Sequence, residues 1–510
     1  MLPIEFTERM KELLGDEYDA FLATYDRENY RALRLNPLKA TIEQLELCRN
    51  NLEQVPWESN GFYFAEDVRP GIHPYHGAGV YYIQEPSAML PVNWLEPEPG
   101  ERVLDLCAAP GGKTTQIGGL MKGEGILVCN EIEGKRAKIL SENIERMGIS
   151  NAIVLNEDPN HLKDIFVEYF DRILVDAPCS GEGMFKKNDN AIGEWSLENV
   201  LMCADRQKMI LDAAASMLKP GGCLVYSTCT FSPEEDEKCI EHFIQSHSDY
   251  ELIKMQRLFP HKVKGEGHFV AKLIKKSGDA SGGYVSTGVY RGVELCEGND
   301  KQSGKEKKNK KASAKKNDNI ALLYEFLNEN VINWQSLLRG RLLEFGDNFY
   351  LYPEGAFNLT GIKVIRPGLQ LGSVKKGKFE PSHSLALHLG KDDFAKTVNI
   401  STDIITDKGE GIKNIELFGN YANSVPFKTA YDYINGQTFN YEGENIISVY
   451  VDRREIADSR WFTGSGIIGK VSVNITEPIA LANYGLFFTS PEVSEAFAVW
   501  ETETKWINKK

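Results

Sequence analysis

Two cysteines stand at the ends of two apolar runs, Ile173-Leu-Val-Asp-Ala-Pro-Cys179 and Cys223-Leu-Val-Tyr-Ser-Thr-Cys229. Each run has the length of a buried parallel strand and stops in turn-forming residues. Ligands of an open α/β sheet bind outside the carboxyl ends of its strands. Both thiols are therefore expected to project into one crevice. Two thiols in a cleft point to covalent catalysis rather than to a disulfide staple. The other cysteines support this reading, because nine in the whole chain include no Cys-x-x-Cys pair and no His/Cys zinc spacing. Reduced thiols in a cytoplasm, with no metal site, are the expectation. Cys129 and Cys223 fall inside strand runs, and Cys203 and Cys239 in helical stretches, where a cysteine serves as a small core residue.

The elements that position these cysteines read as βαβ from about residue 98 to 276. Strand-like runs are Arg102–Cys107, Gly125–Asn130, Ala152–Leu155, Asp171–Val175 and Gly222–Ser227, with later candidates at Glu251–Met255 and Phe269–Ile274. Between the first five lie helical patterns. Ala137, Leu140, Ile144 and Met147 make one apolar stripe, and a longer helix fits about 198–218. Strands alternating with helices imply an α/β fold, a parallel sheet covered on both faces.

At 510 residues the chain needs two to four domains. Residues 1–97 mix a helical start with short extended pieces, Arg31–Asn36, Gly61–Phe64 and Gly79–Gln84, and a helical pattern near 41–52. Residues 277–318 are rich in Ser, Gly, Lys and Asn and read as a flexible linker. Its lysines would also suit contact with a polyanion. Residues 319–390 read as a small α+β module, with a helix at Ile320–Leu327 and strands near 348–352, 361–365 and 368–372. Residues 391–510 are mixed, with strand-like Ile446–Val451 and Ile467–Val473. The formal charge of −15 confines any nucleic-acid site to a local basic patch. The longest apolar stretches are too short for a membrane span, and the first residues lack a basic and apolar leader pattern, so neither membrane insertion nor secretion is expected.

Asp105-Leu-Cys-Ala-Ala-Pro-Gly-Gly-Lys-Thr-Thr follows the first strand of the βαβ region and opens a helix. Glycines there let backbone approach a ligand, and the helix start offers free N–H groups. A P-loop would need glycine at 107, which is Cys, and the dinucleotide fingerprint Gly-x-Gly-x-x-Gly is absent. Glu131 ends the second strand about 26 residues after Asp105, where an acid commonly holds ribose hydroxyls. Asp158 at the third strand could meet an adenine amino group, and Asp176 ends the fourth. A loop without a pyrophosphate cradle beside a ribose acid suits S-adenosylmethionine.

Cys107-Ala-Ala-Pro-Gly-Gly-Lys113, Asp176-Ala-Pro-Cys179-Ser-Gly181 and Ser227-Thr-Cys229-Thr together resemble the Sun/RsmF family of RNA cytosine-5 methyltransferases. Arg34-Leu-Asn36-Pro-Leu-Lys39 and Tyr81-Tyr-Ile-Gln84-Glu-Pro-Ser87 extend the likeness upstream. Glu344-Phe-Gly-Asp, Arg366-Pro-Gly-Leu-Gln-Leu-Gly372 and Phe379-Glu-Pro-Ser-His383 resemble the first C-terminal module of the RsmF branch, which modifies small-subunit ribosomal RNA. The resemblance implies a Rossmann-like class I methyltransferase sheet between an N-terminal RNA-binding α+β domain and C-terminal α+β and PUA-like modules. Residues 391–510 depart from the branch's usual PUA-like ending, and 401–425 look like an insertion. For the cofactor it implies Cys107, Ala108, Ala109, Pro110, Gly111, Gly112 and Lys113, with Glu131, Asp158 and Asp176.

Cytosine C5 attacks a methyl group only after a thiolate has added at C6, and the adduct must later break down. The resemblance assigns attack to Cys229 and breakdown to Cys179. DNA cytosine-5 methyltransferases instead attack from a Pro-Cys such as Pro178-Cys179. Asp176 is expected on the N3/N4 edge of the base, with Lys113 stabilising charge and the base unstacked to reach them. The expected partner is ribosomal RNA or the small subunit, with no DNA and a monomeric protein. Transfer RNA is the nearest alternative substrate. A catalytically idle ribosome-assembly factor and a small-molecule methyltransferase are alternatives of other classes.

Overall fold

The computed structural model describes residues 2–277 and 306–389, apart from residues 28, 42–51, 65–69, 73–75, 77–78 and 346, and beyond 389 only residue 393 and six short strands between 397 and 474. The helical pattern near 41–52, the insertion at 401–425 and most of the PUA-like expectation lie outside the described residues.

The N-terminal residues form helices α1 (Ile4–Leu14) and α2 (Tyr18–Leu22) and strands β1 (Arg31–Leu35), β2 (Glu53–Gln54), β3 (Gly61–Phe64) and β4 (Tyr81–Ile83), ordered β2-β3-β1-β4. Phe6 and Phe21 bury themselves against Phe185, Trp195 and Phe231, so these helices pack over the loops that carry the two cysteines. A short helix, α3 (Leu90–Leu95), leads into the central sheet.

That sheet has β5 (Arg102–Asp105), β6 (Ile126–Asn130), β7 (Ala152–Leu155), β8 (Phe170–Asp176) and β9 (Leu218–Thr228) in parallel. Antiparallel strands β10 (Tyr250–Leu258) and β11 (His268–Lys275) extend it beyond β9. The order β10-β11-β9-β8-β5-β6-β7 reverses direction between β5 and β8, which places the ligand crevice at their carboxyl ends. Every residue of β6 and β7 is buried, as a strand covered on both faces requires. Helices α4 (Gly112–Met121), α5 (Gly134–Arg146), α6 (Pro159–Ile165), α7 (Asp189–Glu194), α8 (Leu197–Met217) and α9 (Glu237–Ser246) flank the sheet. In α5 the buried positions are Ala137, Leu140 and Ile144, the expected stripe. Ser196 caps α8 by accepting from Asn199 N at 3.1 Å.

Further along the chain, α10 (Glu306–Asn330) and α11 (Trp334–Leu337) precede β12 (Arg341–Phe345), β13 (Asn348–Tyr352), β14 (Val364–Arg366), β15 (Leu369–Lys375) and β16 (Lys378–Pro381), and α12 (His383–His388) follows. Helix α10 starts inside the segment 277–318 that composition marked as a linker; its lysines and alanines are good helix formers. Strands β12, β13, β15 and β16 make their own antiparallel sheet. The strand expected near 361–365 does not join them. Instead β14 pairs antiparallel with β7 and becomes the eighth strand of the central sheet. This covers an edge strand whose side chains are wholly apolar.

Candidate active site

The loop Leu106–Gly111 runs from β5 to α4, and its carbonyls and amides are tied from several sides. Ala108 N donates to Asn130 O at 2.8 Å, Arg136 Nη2 to Ala109 O at 2.7 Å, and Asn143 Nδ2 to Pro110 O at 2.8 Å. Arg34, 2% exposed, reaches in from β1 and donates to Gly112 O and to Thr115 Oγ1, each at 2.8 Å. Gly111 has φ +114°, a region open chiefly to glycine, and a Cβ there would lie 3.2 Å from Leu140 Cδ1.

The loop opens onto a cleft of about 950 Å³. Cys107, Ala109, Pro110, Glu131, Asp158, Asp176, Cys179 and Cys229 all line it. Ala108 is buried behind it, Gly111 and Gly112 shape the turn into α4, and Lys113 enters through its contact with Asp176. Glu131 lies just past β6, accepts from Glu133 N at 2.9 Å and pairs with Arg136 at 3.3 Å. These bonds leave lone pairs for a ligand's hydroxyls. Asp158 caps α6, accepting from Asn160 N at 2.8 Å. Asp105 is fully buried; Thr114 Oγ1 donates to its Oδ2 at 2.6 Å, and its Oδ1 has no partner. Burial pushes this carboxyl up to about 7, so a cationic ligand group beside it would supply the missing partner. A buried acid with one unpartnered oxygen, a ribose-type acid and a glycine turn together fit S-adenosylmethionine. Burial pushes the Cys107 thiol up, which disfavours its thiolate.

At the end of β8, Asp176 meets Lys113 Nζ at 2.7 Å through Oδ2. Its Oδ1 accepts from Ser227 Oγ at 2.8 Å and faces His268 Nε2 at 3.6 Å. Burial alone would push this carboxyl up; Lys113 and His268 outweigh it and hold it below the ordinary value, so it is ionised. His268 is buried and pushed down, first by burial and then by Lys113, which leaves the imidazole neutral. Cys179 Sγ and Cys229 Sγ lie 3.2 Å apart. The Cys179 thiol is pushed well above its ordinary value, foremost by its hydrogen bond with Cys229 and then by burial.

The structure thus brings the motif residues to one cleft. It also adds four residues that carried no role in the sequence: Arg34, His268, Glu182 and Glu235. The two glutamates follow the cysteines at short but unequal spacings, three positions from Cys179 to Glu182 and six from Cys229 to Glu235, and only this proximity in sequence marked them.

Residues 92–274 match the family model for the 16S rRNA methyltransferase RsmB/F. Residues 2–86 match the N-terminal domain of the 16S rRNA methyltransferase RsmF, and residues 325–389 its first C-terminal domain. The chain is 34% identical over 435 residues to a ribosomal RNA small subunit methyltransferase F of Vibrio vulnificus, covering 79% of this chain and 87% of that protein. A Serratia proteamaculans protein of the same name is 37% identical over 302 residues, 54% of this chain and 63% of its own length. Among solved structures, PH0851 superposes with TM-score 0.50 at 30% identity, over 53% of this chain and 66% of that one.

Proposed function

Because the chain belongs to the RsmF family of S-adenosylmethionine-dependent 16S rRNA methyltransferases, we propose that it methylates C5 of a cytidine in small-subunit ribosomal RNA through a covalent adduct at C6. One observation carries the reading: two thiols 3.2 Å apart, both lining one cleft with Asp176, which pairs with Lys113. A methyltransferase acting on a nitrogen or a hydroxyl has no use for such a pair.

The Cys229 thiolate adds to C6 and makes C5 nucleophilic. When bound, S-adenosylmethionine supplies an electrophilic methyl group to C5. Asp105, Glu131 and Asp158 would hold its ammonium, ribose and adenine amino groups. Solvent water in the cleft then takes the C5 proton, the C5–H electron pair re-forms the C5=C6 bond, and the C6–S bond breaks to release the Cys229 thiolate, which takes a proton from Cys179. Cys179 suits this last stage, because a thiol that keeps its proton is a donor and not a nucleophile.

Asp176 and Lys113 divide the remaining work. The ionised Asp176 can only accept, so it suits the cytosine amino group. The Lys113 ammonium is the donor for the N3/O2 edge, where negative charge gathers as the thiolate adds. Residues 1–97 and 319–390 flank the catalytic residues 98–276 and, in this reading, serve the RNA. Among the described residues, no helix is long and apolar enough to cross a membrane.

The test is incubation with S-adenosylmethionine and small-subunit RNA, with transfer RNA in parallel, followed by bisulfite mapping of 5-methylcytosine. New methylation in the ribosomal RNA supports the proposal, and none in either RNA refutes it. Cys179→Ala should leave a stable protein–RNA adduct, and Cys229→Ala should form none. An adduct with Cys229→Ala would overturn the assignment of roles.

A further inference from the structure

The loops that carry the two cysteines are joined by much more than their thiols. From the Cys229 side, Glu235 reaches across and accepts from Ser180 N at 2.9 Å and from Ser180 Oγ. From the Cys179 side, Glu182 reaches back and accepts from Phe231 N at 2.9 Å. Ser180 Oγ and Thr230 Oγ1, each one residue past a cysteine, lie 2.9 Å apart, and Gly183 N donates to Cys229 O at 2.9 Å. Gln207 of α8 donates to Glu235 Oε2 at 2.9 Å and to Pro178 O at 3.0 Å. Trp195 Nε1 donates to Glu182 Oε1 at 3.0 Å.

Both acids are buried, at 2% exposure for Glu182 and 0% for Glu235, and neither forms a salt bridge among the described residues. A buried acid without a cation is costly to keep. Burial pushes Glu235 up to about 7, and Glu182 is raised for the same reason. Each acid satisfies a backbone N–H in the opposite loop, which offsets part of the cost of burying it.

We infer that Glu182 and Glu235 form a reciprocal brace that sets the separation of Cys179 and Cys229, and that they are positioning residues for release of the covalent adduct. This rests on the two-thiol reading above. Without Glu235, Ser180 N loses its acceptor and the Gln207 amide keeps only Pro178 O, and the Cys179 loop is free to drift from Cys229. A misplacement near 1 Å costs about 10²-fold in rate.

The experiment compares the full-length wild type with Glu235→Ala, Glu235→Gln and Thr230→Val. Single-turnover reactions on small-subunit RNA are quenched in detergent, and covalent protein–RNA adduct is followed against free methylated product. Cofactor affinity and thermal unfolding report on the fold. Glu235→Ala should bind S-adenosylmethionine as the wild type does, form the adduct, and release it about 10²-fold more slowly. Glu235→Gln keeps an acceptor for Ser180 N and should recover most of the release rate. Release from Glu235→Ala at the wild-type rate overturns the brace. Failure of that folded variant to form any adduct also overturns it, because the defect would then lie in attack by Cys229. Should Glu235→Ala not fold, Thr230→Val carries the test: it cuts the hydroxyl link at nearly constant volume, slow release supports the brace and wild-type release overturns it. A wild type that never forms an adduct sinks the two-thiol reading itself.

Discussion

Lys113→Met isolates the contribution of one charge at the site. The ammonium lies 2.7 Å from Asp176 Oδ2, and its side chain is 10% exposed against 31% for Asp176. At an effective dielectric near 20, such a pair attracts by about 6 kcal/mol, and removing one partner of a buried pair typically costs about 3–5 kcal/mol. Loss of a preorganised donor to developing negative charge lowers kcat by about 10²–10³-fold. Methyl transfer to small-subunit RNA should fall by that factor. A second signature lies in the pH profile. Burial pushes Asp176 up, and Lys113 leads the groups that hold it below the ordinary Asp value of 3.8. A carboxyl depressed in the folded state contributes stability above that ordinary value and loses it as pH falls through the lowered one. Without Lys113 the carboxyl rises, so it gains a proton at higher pH and can no longer accept from the cytosine amino group by both oxygens. The acid limb of the rate profile should therefore move upward in Lys113→Met and stay near its wild-type position in Lys113→Arg. A Lys113→Met enzyme with wild-type kcat, or with an unmoved acid limb, refutes the division of labour between Lys113 and Asp176.

Arg366→Met should destabilise the protein by about 3–5 kcal/mol in urea unfolding, because it leaves the Glu145 carboxylate without its guanidinium in a mostly buried site. Burial pushes Glu145 up, but His383, Arg366 and Ser384 hold it down at about 2, so the wild type keeps this stability above the ordinary Glu value of 4.5 and loses it as pH falls toward 2; in the variant the carboxyl sits closer to its ordinary value, so this acid-range loss should be smaller and end at higher pH. Gly111→Ala meets both a φ of +114° and a Cβ contact of 3.2 Å to Leu140, and should weaken S-adenosylmethionine binding measured by calorimetry, with a strain cost of about 1–3 kcal/mol. Unchanged affinity would show that the turn does not shape the cofactor site.

The strands that carry the chemistry were legible because they are covered on both faces. Ile126–Cys129 and Ala152–Leu155 read as unbroken apolar runs, and a run of that kind between turn residues has few other fates. The candidate site residues stood out where a motif joined a strand end to a loop, as at Asp105–Lys113 and Asp176–Cys179. What escaped was long-range. Val364–Arg366 is a short strand that local patterning joins to its neighbours in sequence, yet it pairs with Val154 and Leu155 across roughly two hundred residues. His268 sits at the start of β11, where nothing local marks it, and acquires its place only when β11 lies antiparallel against β9. The helix beginning at Glu306 was masked by lysines that a composition argument reads as solvated coil. In each case the missing information was a partner, not a propensity.

Helix α5 shows how the flanking parts can matter to a reaction they do not touch. Its first turn and middle hold the cofactor loop, through Arg136 on Ala109 O and Asn143 on Pro110 O. Its last turn is gripped by the N-terminal residues, with Lys39 Nζ on Arg146 O at 2.7 Å and Asn36 Nδ2 on Met147 O at 2.8 Å. Its outer side is docked by the C-terminal module, where Arg366 bonds Glu145 and Ser141, and Ser384 bonds Glu145 at 2.6 Å. One helix therefore meets the cofactor loop, the N-terminal strands and the module that completes the central sheet. Loosening either flank lets α5 shift, and Gly111, packed 3.2 Å from Leu140 by the measure of an added Cβ, has no slack to absorb the movement. The three matched segments are thus mechanically one unit around the Leu106–Gly111 loop, and a fragment holding residues 98–276 alone would keep every candidate reactive group while losing the contacts that aim them.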